Sequence, residues 1–353
     1  MKASQCCSVP SWAKERISTP AGEVLQVSSE WSWQDRWEHF RARTSEFRMK
    51  YRVQRGVYAI GDPGEDSPVL VSANYKLSFD VLRRALAGLD CWILVLDTRA
   101  INVWCAAGKG TFGTGQLVGR IQQFHLNELV RHRKLVLPQL GAPGVSAKEI
   151  QEKTGFRVYF GPVRAKDLPQ YLRDGCKASP GMRAVTFTMA ERLVLTPMEF
   201  LPAIRKFPLW GIPAIALLGI QEFSPFSFSA ANSFAAGILA LLTVIAGSVL
   251  TPAFLPWIPF RSFALKGWIM GIVTLLLAQA VGLMPSDLFF RISALAAFPL
   301  ASSYIALQFT GSTPFTHFSG VKRELKLALP VYAAGALLSV TALLGVRLFS
   351  GGP

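Results

Sequence analysis

The sequence predicts an α/β domain of the doubly wound kind followed by an all-α polytopic transmembrane domain of about five helices. Three observations carry that expectation. Residues 1–206 hold 30 of the 37 Lys+Arg and 19 of the 22 Asp+Glu, whereas 207–353 hold only 7 and 3. The first part alternates short β-rich runs with helical stretches. The second is filled by long apolar runs rich in Leu, Ala, Ile and Phe. The boundary falls near Arg205-Lys206. The expected order is an N-terminal extension with an amphipathic helix (1–50), a cytoplasmic α/β domain (51–206) and a transmembrane domain (207–353).

Within the first part, residues 30–50 read as a helix with Trp33, Trp37 and Phe40 on one side, a docking or membrane-surface face. Strands are expected at Val57–Ile60 and Val69–Ala73, then a helix at about 78–88. Cys91–Asp97 is a continuous apolar run, as in a strand buried on both faces. Extended segments follow at Asn102–Ala106, Lys134–Pro138, Val158–Phe160 and Ala184–Thr188, with a helix at about 114–131. Ligands of such sheets sit at the carboxyl ends of the strands, here after Asp97 and in the loop Gln139–Ser146.

The second part has apolar runs at about 207–221, 230–253, 265–284, 288–309 and 327–349, most near the ~20 residues a bilayer-spanning helix needs. Pro208 and Pro213 suit the first to a kinked or re-entrant course. Arg205, Lys206, Arg261, Lys266, Lys322, Arg323 and Lys326 fall on one side of these runs, against Arg291 and Arg347 on the other. Because Lys and Arg resist translocation, the N-terminal domain is expected in the cytoplasm and the C-terminus outside, in a multi-pass protein of the inner (cytoplasmic) membrane. The runs carry almost no charge in their centres, which favours an anchor over a carrier.

The net charge of +15 invites nucleic acid as a partner. No basic stripe with interleaved aromatics, zinc finger or helix-turn-helix signature supports it, so the surplus is expected to face anionic membrane lipid. Five scattered cysteines without C-x-x-C form no disulfide framework.

Residues 102–115 read Asn-Val-Trp-Cys-Ala-Ala-Gly-Lys-Gly-Thr-Phe-Gly-Thr-Gly. A phosphate-binding P-loop fails, because Val103 stands where its first Gly belongs and Lys109 precedes Gly110, not Ser or Thr. Gly108–Gly113 does match G-x-G-x-x-G, with Glu128 some way on, so a dinucleotide remains an alternative. A third reading makes Cys105 a metal ligand. Ala106, Ala107 and Gly108 would let a flat macrocycle approach the backbone, with Trp104 at its edge and Lys109 at a propionamide or phosphate. An inert buried cysteine is the plain alternative.

Val69–Phe79, Trp92–Thr98 and the octet Asn102–Lys109 together resemble the family of mercury-methylating corrinoid proteins (HgcA), which is related to the corrinoid subunits of the acetyl-CoA pathway. The octet looks like that family's cap-helix motif without departure. The resemblance extends to the membrane part and the loop Phe309–Val321, whereas residues 1–50 have no counterpart. It implies a Rossmann-like corrinoid-binding domain holding a cobalamin-type cobalt cofactor. Asn102, Val103, Trp104, Cys105, Ala106, Ala107, Gly108, Lys109 and Gly110 would line it, Asn74 would reach it, and Cys105 would be both catalytic and the lower axial cobalt ligand.

By the same resemblance, cobalt(I) takes a methyl group from a folate-type donor or its methyltransferase. Methyl-cobalt(III) passes it to Hg(II), giving methylmercury, and a ferredoxin-like protein with iron–sulfur clusters restores the reduced cofactor. A thiolate trans to the methyl group favours this, since a soft donor pushes electron density toward it. Two alternatives stand beside that reading: a membrane-bound methyl carrier of one-carbon metabolism without mercury activity, and a non-catalytic corrinoid-binding membrane module. Among other residues, Cys6-Cys7 suit a soft metal, and His125 and His132 would share a helix face. His317 falls in the resembling loop, and Asp97 is either a cofactor partner or a turn cap.

Overall fold

In the computed structural model, residues 10–45, 47–220, 228–309 and 318–349 are described. The chain divides into two compact units, residues 1–185 and 186–353.

The first unit is built on a seven-stranded sheet in the order β1-β2-β3-β5-β4-β6-β7. These strands are Ala13–Thr19, Gly22–Val27, Gly56–Ile60, Val69–Ala73, Cys91–Leu96, Lys134–Leu137 and Arg157–Phe160, numbered in chain order. Strands β5, β4, β6 and β7 are parallel, and helical crossovers join them. Strands β4, β5 and β6 bury residues on both faces, whereas β7 is exposed to half-buried. Trp92, Leu94 and Leu96 of β5 enter one core, while Cys91, Ile93 and Val95 enter the other. That is why these strands appear in the sequence as unbroken apolar runs.

The sheet is mixed, not wholly parallel, because β3 runs antiparallel to β5 and β1 antiparallel to β2. The two N-terminal strands were not foreseen. β1 is largely exposed (Ala-Lys-Glu-Arg-Ile-Ser-Thr), so no apolar alternation marks it.

Helix α1 (Trp33–Thr44) opens on a capping box between Ser32 and Asp35, and the short α2 (Phe47–Lys50) follows it. Trp33, Trp37 and Phe40 of α1 are exposed. Helix α3 (Lys76–Ala85) joins β4 to β5. Between β5 and β6 lie α4 (Val103–Gly108), α5 (Thr114–Gln123) and α6 (Leu126–Leu129). Helix α7 (Ala147–Thr154) precedes β7, and α8 (Leu168–Arg173) and α9 (Pro180–Arg183) end the unit.

Three expectations need correction here. Asn102–Ala106 is helical, because Asn102 caps it and two alanines follow; the apolar Val103-Trp104 pair only imitates a strand. The stretch expected as one helix over 114–131 breaks at His125, whose φ of 45° is left-handed. His125 and His132 therefore share no helix face, and His132 Nε2 instead meets the Ser67 carbonyl at 2.8 Å. Ala184–Thr188 forms no strand; it ends at Thr188, which caps α10 (Met189–Leu195).

The second unit is helical: α11 (Pro197–Gly219), α12 (Ala230–Ile245), α13 (Thr251–Phe254), α14 (Phe263–Ala280), α15 (Leu288–Gln308) and α16 (Phe318–Phe349). Among the described residues, five helical stretches are long and apolar enough to cross a membrane: Met189–Gly219, Ala230–Phe254, Phe263–Ala280, Leu288–Gln308 and Gly320–Ala342. Within the first, α11 runs through Pro202, Pro208 and Pro213, and Thr196 separates it from α10. Close packing explains several small residues. A Cβ on Gly267 would lie 2.4 Å from Ala306 Cβ.

Candidate functional site

The parallel part of the sheet has its topological switch between β4 and β6. From β4 the chain crosses to β5 on one side, and from β6 it crosses to β7 on the other. Crevices at the carboxyl ends of such strands are where α/β sheets take ligands. Helix α4 fills this position, packed against β4 and against the 3₁₀ turn Gln139–Gly144 that follows β6.

Asn102 caps α4, and its Oδ1 accepts from the Cys105 backbone N–H at 2.9 Å. At the other end the Lys109 N–H donates to the Cys105 carbonyl at 3.1 Å. Phe112, fully buried, pins the chain beyond the helix. Ala106 and Ala107 are buried, whereas Val103, Trp104 and Cys105 are half-buried and Gly108, Lys109 and Gly110 exposed.

This arrangement alters the reason given for the small residues. Ala106 belongs to the core cluster under the sheet. Ala107 meets the 3₁₀ turn, where a Cβ on Gly144 would stand 2.3 Å from the Phe112 carbonyl oxygen and 3.1 Å from Ala107 Cα. Both alanines thus set how closely α4 seats on the protein. Room for a ligand lies at Gly108 and Gly110, where an added Cβ would meet nothing within 4 Å. A half-buried thiol on a short helix beside this open glycine surface suits a flat ligand with a soft metal centre.

The loop before α4 is held from β4. Asn74 is buried, and its Oδ1 accepts from Thr98 N (3.0 Å), Thr98 Oγ1 (2.9 Å) and Ala100 N (3.0 Å). Its Nδ2 donates to Asp97 Oδ1 at 3.0 Å. Asp97 also accepts from Arg99 N at 3.1 Å, so it serves as a turn cap. Arg99 and Ala100 have φ of 57° and 59°.

Tyr75 follows Asn74, and burial pushes its phenol up. The cations of Arg48 and Arg43 oppose that shift, and the Cys105 sulfur adds to it. Tyr75 thus feels both the Cys105 sulfur and two basic residues of the N-terminal segment.

The formal G-x-G-x-x-G at Gly108–Gly113 lies between two helices, not between a strand and a helix. The structural context of a dinucleotide fingerprint is missing. Glu128 instead approaches His125, at 3.4 Å. Among the described residues, no group of three or more His, Cys, Asp or Glu could hold a metal ion. Cys6-Cys7 and His317 lie outside the described residues, as does most of the loop Phe309–Val321.

Residues 45–172, which contain all of this site, match the family described as CO dehydrogenase/acetyl-CoA synthase delta subunit. The chain is also similar to acetyl-CoA decarbonylase/synthase complex subunits gamma. Identity is 36% over 128 residues with that of Methanopyrus kandleri and 34% over 127 residues with that of Archaeoglobus fulgidus, each covering 35% of this chain and 27% of the relative. The gamma 2 subunit of Methanosarcina thermophila is 31% identical over 126 residues, covering 35% and 26%. The chain thus spans about a quarter of the length of these relatives. The α/β unit carries a domain of that delta-subunit family, related to the gamma subunits of the decarbonylase/synthase complex.

Proposed function

We propose that the first unit is a membrane-tethered corrinoid protein that carries methyl groups, and that Cys105 would hold the cobalt of its cofactor. One observation carries this reading: the thiol stands at the sheet's switch point, on a capped helix beside an open glycine surface. The matched family domain and the similar gamma subunits support a carrier of one-carbon metabolism. When bound, the corrinoid supplies a cobalt that accepts and releases a methyl group.

The chain's own part is to hold and tune that group. Asn102 fixes the first turn of α4 and so the direction of the Cys105 side chain. Trp104, half-buried on the same helix, and the exposed Gly108–Gly110 backbone would border the macrocycle. Lys109 would meet its polar side groups. The apolar helices of the second unit would hold the domain at the cytoplasmic face of the inner membrane, with the C-terminus outside.

A second reading concerns the acceptor, and Cys105 itself favours it. A thiolate is a soft, electron-rich donor, and its push suits delivery of the methyl group to a soft electrophile such as Hg(II). Together with the octet's resemblance, this makes mercury methylation the specific activity we propose. A ferredoxin-like iron–sulfur protein would serve as reductant, and a folate-type compound or its methyltransferase as methyl donor.

The test is anaerobic incubation of the full-length, corrinoid-loaded and methylated protein with Hg(II), comparing wild type with Cys105→Ala. Methylmercury from wild type alone supports both readings. Methyl transfer to a one-carbon acceptor without methylmercury leaves the carrier and removes the mercury activity. A protein that takes up no corrinoid removes both.

A further inference from the structure

The turn before Cys105 is held in a conformation that its residues do not favour. Arg99 (φ 57°) and Ala100 (φ 59°) are consecutive and both left-handed, a region costly for any side chain larger than Gly. Such a pair persists only if its surroundings enforce it. Here two side chains do so: Asp97 accepts from the Arg99 N–H, and Asn74 makes the larger number of bonds. Asn74 accepts from the backbone N–H of Thr98 and of Ala100 and from the Thr98 hydroxyl, and donates to Asp97.

Asn74 is only 3% exposed, and Thr98 is fully buried. The Asn74 side chain is engaged at this turn through both its carbonyl oxygen and its amide nitrogen. The backbone around Asn74 is equally engaged. Its N–H donates to the Leu96 carbonyl at 2.9 Å, and its carbonyl accepts from Val53 N at 3.0 Å. Two residues after Ala100 comes Asn102, the cap that accepts from the Cys105 N–H. The path from Asn74 to the thiol's own amide is therefore a short run of hydrogen bonds, ending at the first turn of α4.

We infer that Asn74 is a positioning residue for Cys105, which sets the thiol's place by enforcing the left-handed Arg99-Ala100 turn and does not itself touch the ligand. The inference rests on the reading of Cys105 as the site's ligand, and it reassigns Asn74 from a ligand contact to a support of the helix that carries the thiol. Its chemistry explains the choice of residue. Asp would keep the acceptors but place a second carboxylate against Asp97, and Leu would leave the Thr98 and Ala100 N–H groups buried without partners.

The test compares full-length wild type, Asn74→Ala, Thr98→Val and Asn74→Ala/Ala100→Gly. Three readouts are followed: iodoacetamide alkylation of Cys105 in the corrinoid-free protein, read on its own peptide; amide exchange over residues 98–105; and the absorbance of the corrinoid-loaded protein. Asn74→Ala is expected to speed exchange and to change the Cys105 alkylation rate by about tenfold as the turn opens. Thr98→Val, which removes the hydroxyl proton shared between Asn74 Oδ1 and the Ile101 carbonyl and keeps the backbone N–H, is expected to shift both in the same direction by about threefold. Adding Ala100→Gly is expected to recover part of the loss, because Gly takes the left-handed conformation without steric cost. A general loss of folding would not be rescued in this way.

Unchanged alkylation and exchange in both Asn74→Ala and Thr98→Val would overturn the inference. So would a loss of corrinoid binding in Asn74→Ala with the corrinoid-free readouts unmoved, since that would make Asn74 a direct contact. Failure of the Cys105 reading shows separately: wild type and Cys105→Ala would then give the same absorbance with corrinoid, while the corrinoid-free readouts still judge Asn74.

Discussion

Two polar constructions lie a few residues apart in the first unit and are built from opposite materials. One is the corner of Asn74, Thr98 and Asn102, made of neutral amides and a hydroxyl around a strained turn. The other is a charged cluster between α1 and α3. There Asp80 receives His39 Nε2 at 2.9 Å, Tyr51 Oη at 3.2 Å, Arg83 Nε at 2.8 Å and the Lys76 ammonium, while Asp35 meets Arg83 Nη2 at 2.7 Å. Arg83 also donates to the carbonyls of Ser28 and Glu30, both at 2.7 Å. Asp35, Lys76, Asp80 and Arg83 are each no more than 1% exposed. The segment Tyr51–Val53 joins the two constructions, since the Tyr51 carbonyl accepts from Lys76 N and Val53 N donates to the Asn74 carbonyl.

The contrast separates holding the domain together from aiming a thiol. Buried charges lose much when one partner is removed, because the others remain desolvated. Such a cluster secures the docking of the N-terminal segment on α3. A neutral corner loses less, and its effect is local. Damage to the cluster should therefore appear in stability, and damage to the corner at Cys105.

The largest expected effect follows from Asp80→Ala, which leaves Lys76 and Arg83 without their shared carboxylate and should cost about 3 to 5 kcal/mol in denaturant unfolding. Acid should reveal the same group in the native chain. Burial would raise the Asp80 carboxyl, but the hydrogen bond from His39 and the charges of Lys76 and Arg83 outweigh it and hold it at about 2, against 3.8 ordinarily. A carboxyl lowered on folding contributes stability above its unfolded value. About 2 kcal/mol should therefore be lost as the pH falls from 4 toward 2, and Asp80→Ala should lack that step.

Gly144→Ala attacks the seat of α4 and is expected to cost about 1 to 3 kcal/mol, since both the Phe112 carbonyl and Ala107 Cα are backbone atoms that cannot yield freely. Unlike Asp80→Ala, it should also alter Cys105 alkylation. At the small end, alkylation of the wild type should separate its cysteines. Cys91 is fully buried and burial pushes its thiol up to about 12, so its peptide should stay unmodified while that of half-buried Cys105 reacts.

Much of this organisation is legible in the sequence, unevenly and for physical reasons. Strands β3 to β7 are visible because they are mostly apolar, and β4 and β5 are buried on both faces. The five helices long and apolar enough to cross a membrane are visible because such stretches carry so few charges. Strands β1 and β2 escape notice, since an exposed edge strand such as Lys14-Glu15-Arg16 carries no alternation. Lys76, Asp80 and Arg83 lie on one face of α3, a spacing that ordinarily marks a solvated stripe. They are buried by segments from earlier in the chain: α1, Tyr51 and the Ser28–Glu30 backbone.

The octet marks Cys105 directly, yet it does not say that Ala106 and Ala107 face inward or that the segment is helical from Val103. Asn74 is conspicuous beside a strand end, but its role depends on the φ angles of Arg99 and Ala100. Those angles result from the folded loop and are absent from any local pattern.

Whether a sulfur of this chain bonds cobalt can be read from X-ray absorption at the cobalt edge of the corrinoid-loaded protein. One sulfur scatterer is expected in the first coordination sphere of wild type, replaced by a nitrogen or oxygen scatterer in Cys105→Ala. A sulfur-free sphere in wild type, or identical spectra for the two proteins, would contradict such a bond.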